Sequence, residues 1–376
     1  NPPTSAAARD SMSARPIAVV KVGTSSITRE TGELDDAALL KLCADVVAAR
    51  GADHDVVLVL SGAIAAGMPA LGLTHRPRDL GTLQAIAAVG QPRLLERVNA
   101  ILSTAGVVAG QVLLTPYDFI HRSQYLHARA TLQRLLELGV LPVVNENDTI
   151  ADDEIRYGDN DRLAALVSHL MRADVLVLLT DTEGLFTSDP RGSEEASLIE
   201  EIVEVDTALE SLAGGAGTAR GSGGMASKLA AAKIAAWSGV RVVIAAATAP
   251  NVLVQALAGK PVGTSFAPRA QRLSSRKLWI AFAQGSAGRV FVDDGARVAL
   301  VDRGRSLLPA GVRKVEGEFD ADDAVEVVDE QGRAFAKGLS RYGAATLRSV
   351  AGRRTAELPE GLPHEVVHRD DLVVLP

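Results

Sequence analysis

Two lysines and a set of carboxylates stand beside glycine-marked turns along the first two-thirds of this chain. Lys21 lies in Val20-Lys21-Val22-Gly23-Thr24-Ser25-Ser26, next to a glycine and three hydroxyls. Lys228 follows Gly221-Ser222-Gly223-Gly224-Met225-Ala226-Ser227. Between them come Ser61-Gly62-Ala63-Ile64-Ala65-Ala66-Gly67, Asn145-Glu146-Asn147-Asp148, Tyr157-Gly158-Asp159-Asn160-Asp161 and Leu179-Thr180-Asp181. Glycine lets backbone N–H groups approach an anion, and an ammonium beside it neutralises phosphate oxygens. Small residues where a helix starts leave N–H groups free for the same purpose. The amides and carboxylates of the two Asn/Asp clusters can hold an ammonium group and orient lysines by ion pairing. Together this is the equipment of phosphoryl transfer. Ser61 is the ligand candidate of its segment, although the same small residues also suit tight helix–sheet packing.

Most of these segments follow an apolar run that reads as a buried strand. Ile17–Val22, Val56–Leu60, Val107–Leu114, Val140–Val144, Val175–Leu179 and Val240–Ala246 are such runs. Helical spacing fills Leu34–Arg50, Leu80–Ala105, Ser123–Leu138, Arg162–Met171 and Ser227–Ser238, with Pro92 expected to kink or break the second. Strands alternating with helices predict a parallel sheet covered on both faces. A phosphate site then falls at the carboxyl edge of that sheet. Ala213–Gly224 is too glycine-rich for regular structure and is expected to form a mobile loop over the site.

The texture changes after about Gln284. Short alternating runs at Gly288–Val292, Val298–Val301, Val312–Glu316, Ala324–Val328, Arg333–Lys337, Val366–Val367 and Leu372–Leu375 predict a small β-rich second domain. Its His364-Glu365-Val366-Val367-His368 has the spacing of a zinc-protease motif. That motif works only on a helix, and here Pro363 and two valines argue for extended chain.

Composition narrows the function classes. The chain has 376 residues, 47% hydrophobic and 23% charged, with a formal net charge of −7. The acidic balance argues against a general nucleic-acid binder. A single cysteine, Cys43, excludes an internal disulfide framework and fits a reducing compartment. No apolar run reaches the ~18 residues that a membrane span requires. The start, Asn1 to Ala14, lacks the apolar region of a signal peptide and is expected to be disordered, with Met12 nearer a natural start.

The ordered segments from about Ile17 to Phe266 resemble the amino acid kinase family. The tail, with Val367-His368-Arg369-Asp370-Asp371-Leu372, resembles the PUA domain often fused to one branch of it. The resemblance implies an αβα sandwich around a mainly parallel sheet, followed by a small β-rich PUA domain. The expected division is 1–14 extension, 15–270 kinase domain, 271–284 linker and 285–376 PUA domain.

The implied activity is ATP-dependent phosphorylation of the γ-carboxylate of L-glutamate, the first step of proline biosynthesis. Ser61, Gly62, Ala63, Asp148 and Asn160 would hold glutamate. Lys21, Thr180, Asp181, Ser222, Gly223, Gly224, Met225, Ala226, Ser227 and Lys228 would hold ATP. Lys21 and Lys228 would stabilise the transferring group, and Asp161 would orient them. Mg²⁺ would accompany ATP, and no protein side chain is assigned as its ligand. Ser222 and Ser227 depart from the family's G-T-G-G-M-x-T-K pattern but keep a hydroxyl. A substrate carboxylate of pKa ~4.3 is already ionised at neutral pH, so no general base is needed. Asp148 and Asn160 favour a free α-amino group over an N-acetylated one.

The resemblance further implies a cytoplasmic homodimer or homotetramer with proline as feedback inhibitor. Glutamyl phosphate reductase is a candidate partner. Neither a membrane nor a nucleic acid is expected.

Overall fold

The computed structural model describes residues 15–29, 31–119, 121–150, 160–188, 196–205, 209, 224–270, 272–283 and 285–375. The expected disorder of residues 1–14 and the expected loop at residues 213–223, including Ser222 and Gly223, lie outside the described residues. So do Tyr157, Gly158 and Asp159. By contacts the chain divides into two compact units, one ending at Ala270 and the other starting at Gln271.

Among the described residues, the first unit is built on eight strands: β1 (Ile17–Val22), β2 (Asp55–Leu60), β3 (Ala109–Leu114), β4 (Leu141–Glu146), β5 (Val175–Thr180), β6 (Glu201–Ile202), β7 (Arg241–Ala246) and β8 (Thr264–Phe266). Their order is β3-β4-β2-β1-β5-β7-β8-β6. From β3 to β7 every pair is parallel, and β8 runs antiparallel to β7. The apolar runs read as parallel strands therefore pair as parallel strands.

Register aligns their carboxyl ends. Val22 pairs with Leu60 on one side and with Leu179 on the other. Ser61 and Thr180 consequently leave or end their strands beside the end of β1.

Helices α1 (Asp36–Gly51), α2 (Ala63–Gly67), α3 (Leu80–Ser103), α4 (Arg122–Glu137), α5 (Asn160–Met171), α6 (Met225–Trp237) and α7 (Val252–Leu257) cover the two faces. Asp35 and Asp79 start α1 and α3 by accepting backbone N–H groups of Ala37 and Thr82. α3 runs unbroken through Pro92, which the sequence marked as a kink or break. Proline there removes one intrahelical bond, and the packed apolar face keeps the helix whole.

α1, α3 and α7 share one core with Ala18, Val20 and Val22 of β1. Cys43 is buried in this layer, and burial pushes its thiol up to about 11. Alternation along β1 turns Val19 and Lys21 to the opposite face, where α5 packs.

The second unit holds β9 (Gly288–Val292), β10 (Val312–Gly317), β11 (Ala324–Val328), β12 (Ala334–Leu339) and β13 (Leu372–Val374), in the order β10-β9-β11-β12-β13. Helices α8 (Asp294–Val301) and α9 (Ala344–Val350) pack on it. Two expected strands are corrected. Val298–Val301 lies in α8, where Asp293 caps the first turn through Ala296 N–H and Leu300 turns inward. Four consecutive apolar residues are too few to separate a strand from a helix. Val366–Val367 makes only an isolated bridge to Leu307, although both valines are fully buried. The His364–His368 stretch is not helical, so its two histidines do not share a helix face.

Candidate active site

The site forms where β1, β2, β4 and β5 end and α5 and α6 begin. Asp161, in the first turn of α5, has no solvent exposure. Its Oδ1 lies 2.5 Å from Lys21 Nζ and its Oδ2 3.3 Å from Lys228 Nζ. Ser227 Oγ donates to Oδ2 at 2.9 Å. Both lysines are buried as well, at 4% and 6% exposure. Burial alone would push the Asp161 carboxyl up. The charges of Lys21 and Lys228, with hydrogen bonds from Lys21 and Ser227, outweigh it and hold the group below the usual carboxylate range. An ion pair out of water is retained only when its partners are well placed.

These three side chains sum to a single positive charge. Two ammonium groups from opposite ends of the unit's sequence are thus pinned to one carboxylate, with charge left over for an anion.

Backbone geometry leaves room for that anion. A Cβ at Gly23 would stand 3.6 Å from Lys21 Nζ, so the absent side chain keeps the ammonium's surroundings open. Gly224 precedes α6 without a side-chain cap. Met225 and Ala226 open that helix, and its first N–H groups face outward as helix N-termini do. Thr180 ends β5, and its hydroxyl donates to Asp181 Oδ1 at 3.0 Å.

A second polar group adjoins the first. Asn160, next to Asp161, donates through Nδ2 to Ser61 Oγ and to Asn145 Oδ1, both at 2.9 Å. Its own Oδ1 is buried and has no hydrogen-bond partner among the described residues. An acceptor in that state suits the N–H of a bound molecule.

Gly62 has φ +110°, a left-handed conformation that turns the chain from β2 into α2 through Ala63. Asp148, beyond β4, is partly buried. Burial pushes its carboxyl up, and hydrogen bonding from Gln91 and the charge of Arg76 pull it partly back.

The structure therefore joins Lys21, Asp161, Ser227 and Lys228 in one contact group, and Ser61 with Asn160 in another. Thr180 and Asp181 stand one strand over, and Asp148 is linked through Gln91.

The chain matches the model of the amino acid kinase family over residues 16–246 and that of the PUA domain over residues 288–362. The chain belongs to the amino acid kinase family. Among curated amino acid kinases, it is 47% identical over 361 residues to the glutamate 5-kinase of Caldanaerobacter subterraneus subsp. tengcongensis, covering 95% of this chain and 97% of that one. It is 50% identical over 364 residues to the glutamate 5-kinase of Frankia casuarinae, covering 95% and 96%. The fold also matches the carbamate kinase from Giardia lamblia bound to AMP-PNP, with a TM-score of 0.51 at 18% identity, over 69% of this chain and all of that one. The β-rich tail and the mainly parallel sheet agree with the family reading of the sequence.

Three polar residues of this amino acid kinase site were not singled out from sequence. Asn145 belongs to the Asn145–Asp148 cluster, and from the buried end of β4 it accepts a hydrogen bond from Asn160. Gln91 and Gln111 carry no local signal. One sits on a long helix and the other on a strand, and only tertiary packing brings them together.

Proposed function

We propose that this chain transfers the γ-phosphoryl group of ATP to the γ-carboxylate of L-glutamate, giving L-glutamyl 5-phosphate for proline biosynthesis. The observation that carries the reading is the Lys21–Asp161–Lys228 bridge, in a chain alike to glutamate 5-kinases over nearly its whole length.

An anionic carboxylate attacking an anionic phosphate is opposed by charge, not by a missing base. Fixed cations placed where charge spreads in the transition state remove that opposition without reorganisation. Asp161 holds both ammonium groups in place before substrate arrives. Lys21 and Lys228 would touch the transferring group from two sides, and the N-terminal turn of α6 would face the nucleotide phosphates.

Mg²⁺ neutralises phosphate charge when it arrives with ATP, and such ions keep phosphate and water as most of their ligands. The donor set suits that arrangement, because the most buried carboxylate among the described residues, Asp161, is already taken by two lysines. Thr180 and Asp181 would contact ATP together with residues 222–228. Ser61, Gly62, Ala63, Asp148 and Asn160 would hold glutamate, with Asp148 and Asn160 Oδ1 facing its α-ammonium group.

The test is ADP release with Mg-ATP and L-glutamate, N-acetylglutamate, aspartate or no acceptor, with hydroxylamine present to trap an acyl phosphate. Glutamate-dependent turnover with hydroxamate formation is expected. Turnover only on a different acid would discard the substrate and keep the kinase. Folded, ATP-binding protein that turns over none of them would remove the catalytic reading.

A further inference from the structure

Helix α3 touches both halves of the glutamate site. On one side Gly90 lies against α2, the short helix that follows β2. A Cβ there would stand 1.7 Å from the Ala63 carbonyl oxygen, so the two helices meet backbone to backbone. One residue on, Gln91 reaches the end of β4. Its Nε2 donates to the Glu146 carbonyl oxygen at 3.3 Å and to Asp148 Oδ2 at 3.4 Å. Its Oε1 accepts from Gln111 Nε2 of β3 at 2.9 Å.

The Glu146 carbonyl oxygen can only accept, so it fixes which end of the amide faces Asp148. With Oε1 taken by a donor, the two hydrogens of Nε2 are left for the two acceptors. Gln91 is 6% exposed, so an unsatisfied amide there would carry a desolvation penalty. All three of its bonds point at the rim of the glutamate pocket or at the residue that orients it.

We infer that Gln91 is a positioning residue that sets the Asp148 carboxylate against the α-ammonium group of the amino-acid substrate, with Gln111 as its orienter. This rests on the reading that L-glutamate is the substrate. Gln91 does not touch substrate itself. It acts through Asp148 and, by way of the adjoining Gly90, keeps that carboxylate at a fixed distance from the Ser61–Ala63 turn. A hydrogen bond donated to a carboxylate also favours its ionised form, the form that pairs with an ammonium.

The experiment uses the full chain with Gln91→Met, which keeps the length of the side chain and removes its donor. Steady-state kinetics give kcat and KM for L-glutamate and for ATP. Inhibition by glutarate, which keeps both carboxylates and lacks the α-ammonium, supplies the discriminating readout. KM for L-glutamate should rise about tenfold, the effect of one hydrogen bond to a charged group. KM for ATP and the glutarate inhibition constant should stay within about twofold.

Gln111→Met should move glutamate in the same direction by less. It also carries the test if Gln91→Met does not fold. An unchanged KM for glutamate, or equal weakening of glutamate and glutarate, overturns the proposal. Wild-type protein without glutamate-dependent turnover overturns the substrate reading and this one with it. An active wild type with unaltered variants overturns this one alone.

Discussion

Lys228 Nζ lies 3.3 Å from the Asp161 carboxylate that Lys21 holds from its other oxygen at 2.5 Å. Replacing Lys228 or Lys21 by Ala is expected to lower kcat by roughly 100-fold or more, the range seen when one fixed transition-state donor is removed. KM for glutamate should change by less than about threefold. A variant that loses only affinity for substrate would show that its lysine serves binding alone.

Asp161→Asn removes the charge that the two buried lysines share. A buried pair broken on one side costs about 3–5 kcal/mol, read as a lower urea midpoint at neutral pH. The pH dependence has a definite sign. The folded-state pKa of Asp161 is depressed, so its ionisation stabilises the protein fully above the unfolded value of about 3.9. That stabilisation is lost as pH falls through the folded value. The stability gap between wild type and Asp161→Asn should therefore shrink on acidification below about pH 4. A gap that stays constant would mean that ionisation of Asp161 is not what the substitution removes.

Binding should show the opposite displacement at Asp148. Burial pushes this carboxyl up, against Gln91 and Arg76. The ionised form is the one that attracts an ammonium, so kcat/KM for glutamate should decline on acidification while an ordinary carboxylate would still be charged. Asp148→Asn should lower kcat/KM throughout and abolish that acid limb. A limb that persists in the variant would belong to another group.

Gly90 and Gly81 offer a paired test on one helix. A Cβ at Gly90 would clash with the Ala63 carbonyl oxygen, whereas at Gly81 it would meet nothing within 4 Å. Gly90→Ala should destabilise by about 1–3 kcal/mol through overpacking and raise KM for glutamate. Gly81→Ala should stabilise by about 0.4–1 kcal/mol, because the unfolded chain loses freedom at no folded-state cost. Chemical denaturation of the two variants separates these outcomes, and equal effects would contradict the close approach.

Much of the kinase fold was legible because buried parallel strands are continuous apolar runs and their helices keep a 3.6-residue period. Val175–Leu179 shows this well: the run and the strand start at the same residue, and the strand adds only Thr180. The tail was harder. Val298–Val301 is a short apolar run that suits a buried strand as well as a helix, but Asp293 caps a helix over it, and a cap outweighs four residues of pattern. The short β6 and β8 carry too few residues to show a period. In the site, Lys21 and Lys228 were visible because glycines mark their turns. Gln91 was not, because a polar residue on a helix looks solvated until packing buries it. The hydroxyl at Ser227 was legible, but its hydrogen bond to Asp161 depends on α5 and α6 meeting, which no local spacing encodes.

Cys43 is the chain's one thiol, enclosed in the α1 layer and held protonated by burial up to about 11. Thiolate, not thiol, is what maleimides and methanethiosulfonates attack. The wild-type chain is accordingly a background that needs no cysteine removed before site-directed labelling. Cysteines introduced at exposed Leu138 and Glu330, one in each unit, would carry spin labels alone. The separation between the two units could then be read by dipolar spectroscopy, with and without ATP and glutamate.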